Sequence, residues 1–188
     1  MHNLCIMHIA VVSMLACGNG AAGTDSRRAR SEREKDGVDK PTERVEFETM
    51  LLTRHTLTTV RRAGQETGGL ERSAYILLSR IRLEGPMSIR ELSEVFRLDQ
   101  STLNRQTSAM LRAGLVERIA DPGAGIARKF RITDEGARRL DDERDRIVRG
   151  LEKVLHDWTA EEVEAFAGYL ERFNTDIERL SGRTWPRP

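Results

Sequence analysis

Between Gln100 and Arg112 the sequence places Gln100, Ser101, Thr102, Asn104, Arg105, Ser108 and Arg112 in one short stretch that contains no acid. At helical spacing Ser101, Thr102, Arg105, Ser108 and Arg112 share one side, with Gln100 and Asn104 near the leading end. Hydroxyls, amides and guanidinium groups can reach phosphates and base edges, and an Arg can hold guanine O6 and N7 through two parallel bonds. Arg128 and Lys129 add cations further along. The chemistry on offer is polar recognition, of the kind a helix performs when its first turns lie against bases in a major groove. An ordinary solvated helix also displays Arg and Ser, so the flanking elements have to decide.

Those elements form an ordered set. Beneath the polar face, Leu103, Thr107, Met110 and Leu111 make a packing side. Upstream, Ser88 with Glu91 three residues on is a capping box, and Ile89, Leu92, Val95 and Phe96 form one buried stripe. Leu98 and Asp99 break that helix, and Asp99 is suited to N-cap the next. Downstream, Ala113-Gly114 ends the polar helix, and Leu115 to Ile119 reads as a strand. Asp121-Pro122-Gly123-Ala124-Gly125 is a turn, and Arg128 to Ile132 returns with Lys129 and Arg131 on one face and Phe130 and Ile132 on the other. The order is a helix-turn-helix followed by a β-hairpin wing.

The run from Glu91 to Gly136 resembles the MarR family of bacterial transcriptional regulators, without a gap. The Asp99-x-Ser101-Thr102 start, Gly114-Leu115-Val116 and Thr133-x-Glu135-Gly136 carry the likeness. The resemblance implies a mainly α fold with a small β-hairpin wing: a winged helix-turn-helix between N- and C-terminal dimerisation helices. It also implies a homodimer on double-stranded, pseudo-palindromic DNA. The family usually carries an Asp-Arg pair at the wing tip, where the Arg enters the minor groove. Here Ala124 and Gly125 occupy those places and Arg128 is the nearest cation, so the polar helix is expected to carry more of the contact.

The chain of 188 residues has a formal net charge of only +1. From Arg97 to Arg131 the balance is about +4, enough of a footprint for phosphates. Cys5 and Cys17 both precede the expected domain, which excludes a disulfide framework within it. His2, His8, His55 and His156 have no ligand spacing, so neither metal nor cofactor is expected. No G-x-S-x-G, phosphate-cradling glycine loop or paired nucleophile is present, and an enzyme is not expected.

In chain order, Leu4 to Cys17 is apolar but lacks a basic flank, and it is too short to span a bilayer securely. Residues 1–41 are read as a disordered leader, with a mis-assigned start codon as the alternative, and the protein as cytoplasmic. A helix is expected from Thr42 to about Gly64 and a second from Glu71 to about Leu83, burying Ala74, Leu77, Leu78 and Ile81. Met87-Ser88 is expected to pair with the wing. A long helix after Thr133 buries Ala137, Leu140, Ile147, Val148, Leu151, Val154, Leu155 and Trp158, and puts Arg138, Arg139, Asp141, Asp142, Glu143 and Arg144 in water. Thr159 to Glu162 caps a last helix, and residues 182–188 read as a tail.

The expected domain is therefore 42–181, with the DNA-reading unit at about 70–133 and dimerisation helices at about 42–64 and 134–181. Apolar stripes on the terminal helices exceed what the central unit can cover, and a twofold dimer buries them. The function expected is a homodimeric repressor released by a small-molecule effector. The family resemblance places that effector between the dimer helices and the reading unit, with His55, Tyr75 and Trp158 as candidate lining. The alternative is a winged-helix module that docks a protein and leaves DNA alone.

Overall fold

The computed structural model describes residues 41–66, 69–120 and 128–187. The expected leader, the break at Gly68 and the wing turn with Ala124 and Gly125 lie outside the described residues. The chain divides into two compact units, one ending at Arg54 and the other beginning at His55.

The first unit contributes the opening of α1 (Pro41–Glu66). Thr49 and Thr53 turn their hydroxyls back to the carbonyls of Val45 and Thr49, at 2.6 and 2.9 Å, the usual way a helical Thr satisfies its oxygen. Val45, Phe47, Met50 and Leu52 are exposed.

The second unit runs α2 (Arg72–Glu84), β1 (Met87–Ser88), α3 (Ile89–Phe96), α4 (Gln100–Arg112), β2 (Val116–Ala120), β3 (Arg128–Ile132), α5 (Asp134–Val154) and α6 (Ala160–Ser181). The three strands form one antiparallel sheet in the order β1-β3-β2. Met87 pairs with Phe130, and Val116 with Ile132, so the expected third strand is present. The core gathers Leu77, Leu78 and Ile81 from α2, Leu92 from α3, Leu103 and Met110 from α4, Val116 and Phe130 from the wing strands, and Leu140 from α5.

Local chemistry sets the element ends. Ser88 accepts from the Glu91 amide while the Glu91 carboxylate accepts from the Ser88 amide, and Thr159 and Glu162 repeat that arrangement at α6. Gly114 (φ 68°) closes α4, with the Leu115 amide reaching back to the Met110 carbonyl at 2.9 Å. Three expectations need correcting. Asp99 precedes α4 without a side-chain capping bond, although its backbone carbonyl accepts from Leu103 at 3.1 Å. The strand expected at Leu115 begins at Val116, because the Leu115 amide is used by the α4 cap.

The third correction concerns α5. Glu143, assigned to water by its charge, is only 5 % exposed. It accepts from the Leu70 amide ahead of α2 at 3.3 Å and is forked by Arg146, whose Nε lies 3.1 Å away. Among the stripe residues, Leu140 is buried whereas Ile147, Val148, Leu151, Val154 and Trp158 are exposed. The helix ends at Val154, so Trp158 falls in the turn before α6, where it meets Phe166 edge-on at 5.5 Å.

Candidate nucleic-acid interface

Helix α4 is fixed by its underside. Leu103 and Thr107 are fully buried and Met110 nearly so, and the Thr107 hydroxyl donates to the Leu103 carbonyl at 2.8 Å. Anchoring by that face turns the polar one outward. Gln100, Ser101, Asn104, Arg105 and Arg112 are exposed, and Thr102 and Ser108 are half-buried along the same surface. Neither Arg105 nor Arg112 has a carboxylate partner among the described residues. A helix with unanswered guanidinium groups, hydroxyls and amides on one face can satisfy phosphates and base edges.

The wing cations are arranged differently. Arg131 faces its cross-strand partner Glu117, with Nε 2.9 Å and Nη2 2.7 Å from Oε1. Lys129 lies half-buried with Nζ 3.3 Å from Glu91 Oε1, tying β3 to the first turn of α3. The Ser88 amide, chiefly, holds the Glu91 carboxyl below its ordinary range, helped by the Ser88 hydroxyl and Lys129 against a burial effect of opposite sign. Arg128 is exposed at the start of β3. So α4 and Arg128 present outward charge, whereas Lys129 and Arg131 are engaged within the unit.

His55 is exposed on α1, Tyr75 is half-buried on α2, and Trp158 is 45 % exposed beside Phe166. None of the three lines the cleft of about 1080 Å³ that opens among α2, α3, α6 and the C-terminal segment, where Arg80, Met87, Val95, Ile177 and Trp185 form the walls. Sequence reasoning missed Arg80, which is 5 % exposed, and the whole segment after Ser181. Rather than trailing off, that segment folds back on Arg80 and Phe96. A Trp in an otherwise polar terminal stretch was the available signal, since an indole seldom stays in water when a partner is within reach. Among the described residues no group of His, Cys, Asp and Glu could hold a metal ion, and no helix is long and apolar enough to cross a membrane.

Comparison with known proteins agrees with this geometry. The sequence model of the MarR family matches residues 70–123. An uncharacterised HTH-type transcriptional regulator of Bacillus subtilis, YxaD, is 35 % identical over 134 residues, covering 71 % of this chain and 93 % of that one. A MarR family protein from Bacillus stearothermophilus superposes with a TM-score of 0.59 at 25 % identity, over 72 % of this chain and 96 % of the other. The PcaV transcriptional regulator of Streptomyces coelicolor, solved with its natural ligand, shares the fold with a TM-score of 0.51 at 22 % identity, over 82 % and 98 % of the two chains. With an outward polar helix between a supporting helix and a three-stranded wing, and with a relative matched along nearly its whole length, this chain belongs to the MarR family of transcriptional regulators.

Proposed function

We propose that this regulator binds a specific DNA sequence as a homodimer and acts as a repressor that a small-molecule effector releases. The observation carrying this reading is the exposed face of α4, where Gln100, Ser101, Thr102, Asn104, Arg105, Ser108 and Arg112 stand together with no acid among them. Arg128, and Lys129 once freed from Glu91, would add phosphate contacts from the wing. Two copies related by a twofold axis set their α4 helices about one DNA turn apart, so a change in the angle between reading units alters affinity for both half-sites together.

Release by an effector is supported by the cleft between α6 and the reading unit, which is of a size that takes small ligands. It is supported too by PcaV, a protein of this fold that has a natural ligand. His55, Tyr75 and Trp158 are the further lining candidates once a second subunit is in place. The test is a mobility shift on a duplex carrying the protein's own upstream region, repeated at rising salt. A specific complex that weakens steeply with salt is expected, because neutralised phosphates release counterions. Absence of any complex in dilute buffer would instead favour a winged-helix module that docks a protein.

A further inference from the structure

Helix α6 buries none of its residues, so its own packing gives it little hold on the reading unit. The segment that follows it supplies that hold. Gly182 (φ 66°) ends α6, with its amide on the Arg179 carbonyl at 3.3 Å and the Arg183 amide on the Glu178 carbonyl at 2.9 Å. This left-handed stop reverses the chain. Arg187 then returns to α6, gripping the Glu178 carboxylate with two bonds of 3.0 Å and donating to the Thr175 hydroxyl at 3.1 Å. Residues 182–187 thus form a strap fastened to α6 at both ends, with Thr184 and Trp185 between the fastenings.

The middle of the strap rests on two helices of the reading unit. The Arg80 guanidinium of α2 donates to the Thr184 carbonyl at 3.3 Å and lies over the Trp185 ring at 4.9 Å. Arg80 is itself set in place, 5 % exposed and with its Nε donating to Glu84 at 2.9 Å. Phe96, the last residue of α3, meets the same indole edge-on at 5.7 Å. Directly after Phe96 comes the turn into α4, which the Ser93 hydroxyl braces by donating to the Leu98 carbonyl at 2.7 Å. One side chain therefore connects α6 to α2 and to the end of α3 from which the polar helix departs.

This connection is a joint and not part of the core. No residue after Ser181 belongs to the hydrophobic cluster of the reading unit, and Trp185 is only half-buried. A cation over a ring and an edge-on ring pair are each modest interactions, so the indole can leave with the core intact. Its seat also borders the cleft: Thr184 and Trp185 form one wall, and Arg80, Met87 and Val95 form the other.

We propose that Trp185 is a positioning residue for DNA recognition: docked on Arg80 and Phe96, it fixes the angle between α6 and the reading unit at which both half-sites are met. This rests on the DNA-binding reading above. The indole touches no DNA and acts through α3 and the turn before α4. If docking favours DNA binding, DNA favours docking by the same factor, because coupling between two equilibria is reciprocal. The rival account makes the strap a staple that adds stability and nothing else.

The experiment uses the full chain and has two arms. In the first, Trp158→Phe leaves Trp185 as the sole indole, since the chain has 2 Trp. Quenching of its fluorescence by acrylamide should fall when a duplex of the upstream region is bound. In the second, Trp185→Ala should weaken binding to that duplex about 5- to 150-fold, the usual range of coupling between sites. The slope of log K on log salt should not change, because no phosphate contact is lost. Trp185→Phe, which keeps a ring, should recover part of the affinity. Arg187→Ala, at the exposed end of the strap, should give a smaller loss of the same kind and serves where Trp185→Ala does not fold.

Lowered urea midpoints with unchanged DNA affinity would make the strap a staple and overturn the proposal. With Arg105→Ala still weakening the specific complex, that result leaves the DNA-binding reading intact. A flattened salt slope in Trp185→Ala would make the strap a phosphate contact, and unaltered quenching on DNA binding would show docking uncoupled from recognition; either overturns the proposal equally. No binding by the wild-type chain removes both readings together.

Discussion

Gly136 begins α5 directly against the backbone of Leu115: a Cβ on Gly136 would overlap the Leu115 carbonyl oxygen, 2.9 Å from its carbon and 3.0 Å from Cγ1 of Ile132. The same carbonyl accepts from the Thr133 amide at 3.1 Å, and the Thr133 hydroxyl donates to the Gly114 carbonyl at 2.6 Å. Thr133-x-Glu135-Gly136 is therefore a weld between the end of α4, the start of β2 and the start of α5. It fixes the long helix to the unit that α4 belongs to.

Substituting Gly136 by Ala should lower stability by about 2–3 kcal/mol, because the clash is with backbone and cannot be relieved by rotating a side chain. Gly150 provides the control. It lies in the same helix, and a methyl group there would meet nothing within 4 Å, so Gly150→Ala should gain about 0.5–1 kcal/mol from helix propensity. Urea midpoints of the two variants should move in opposite directions. A loss in Gly150→Ala would mean that another subunit's backbone approaches there.

Glu143 makes the second join, between α5 and the residues leading into α2. Removing its carboxylate leaves the Leu70 amide unbonded and Arg146, whose side chain is 31 % exposed, without its acid. Glu143→Ala should cost about 2–3 kcal/mol, and Glu143→Gln less, since an amide can still accept from Leu70. Hydrogen exchange locates the damage: the Leu70 amide should lose protection in Glu143→Ala and largely keep it in Glu143→Gln. Equal protection in all three proteins would remove Glu143 from this role.

The contrast between these two joins explains what the sequence could reveal. Helix α4, the wing strands and both capping boxes were legible because each is encoded by spacing within a few residues. Gly136 was legible as part of a motif, yet its reason, the approach of Leu115, lies across a turn. Glu143, Arg80 and Trp185 were not legible in position. A charged residue is assigned to water by its type, and only long-range folding supplies Leu70 for Glu143 or Thr184 for Arg80. The polar face of α4 could be read for the converse reason, since the buried side alone determines which residues look outward.

Acid should act through the α3 cap. Glu91 is held below its ordinary value of 4.5, mainly by the Ser88 amide. A depressed carboxyl stabilises the fold fully above the unfolded value, and that contribution is lost as pH falls through the lower folded value. The Glu91 side chain is 44 % exposed, so solvent screening limits the effect to about 1 kcal/mol or less. Wild type should exceed Glu91→Gln in stability at neutral pH, with the difference shrinking below pH 4.5. A constant difference from pH 7 to pH 3 would be inconsistent with this assignment (about the range over which a carboxyl titrates).

Two arginines on one helix should behave differently toward DNA. Arg105 lies near the leading turns of α4, which the proposed DNA-bound form sets against base edges, whereas Arg112 sits in the last turn. Arg105→Ala should weaken the specific complex by about 1–3 kcal/mol and relax preference at one base position. Arg112→Ala should weaken specific and unrelated duplexes alike and flatten the salt dependence by about 0.9 per subunit. Competition shifts with a set of single-base operator variants separate the two. Unaltered base preference in Arg105→Ala would transfer the reading role to Gln100, Ser101 or Asn104.

The proposed dimer can be tested on the faces left uncovered. Leu151 on α5 and Phe173 on α6 are 53 % and 44 % exposed, and they continue apolar rows through Ile147, Val154, Leu170 and Leu180. Burying such rows is worth roughly 25 cal/mol per Å², a gain that association would capture. Neither residue belongs to the core of the second unit, so Leu151→Glu and Phe173→Glu should keep helical content while weakening self-association at least about 100-fold, as expected for a charge placed at a buried contact. Sedimentation across a concentration series reads the change directly. DNA affinity should fall with it, because a lone reading unit holds only one half-site. If both variants stay dimeric at wild-type concentration, the subunits meet through a different surface.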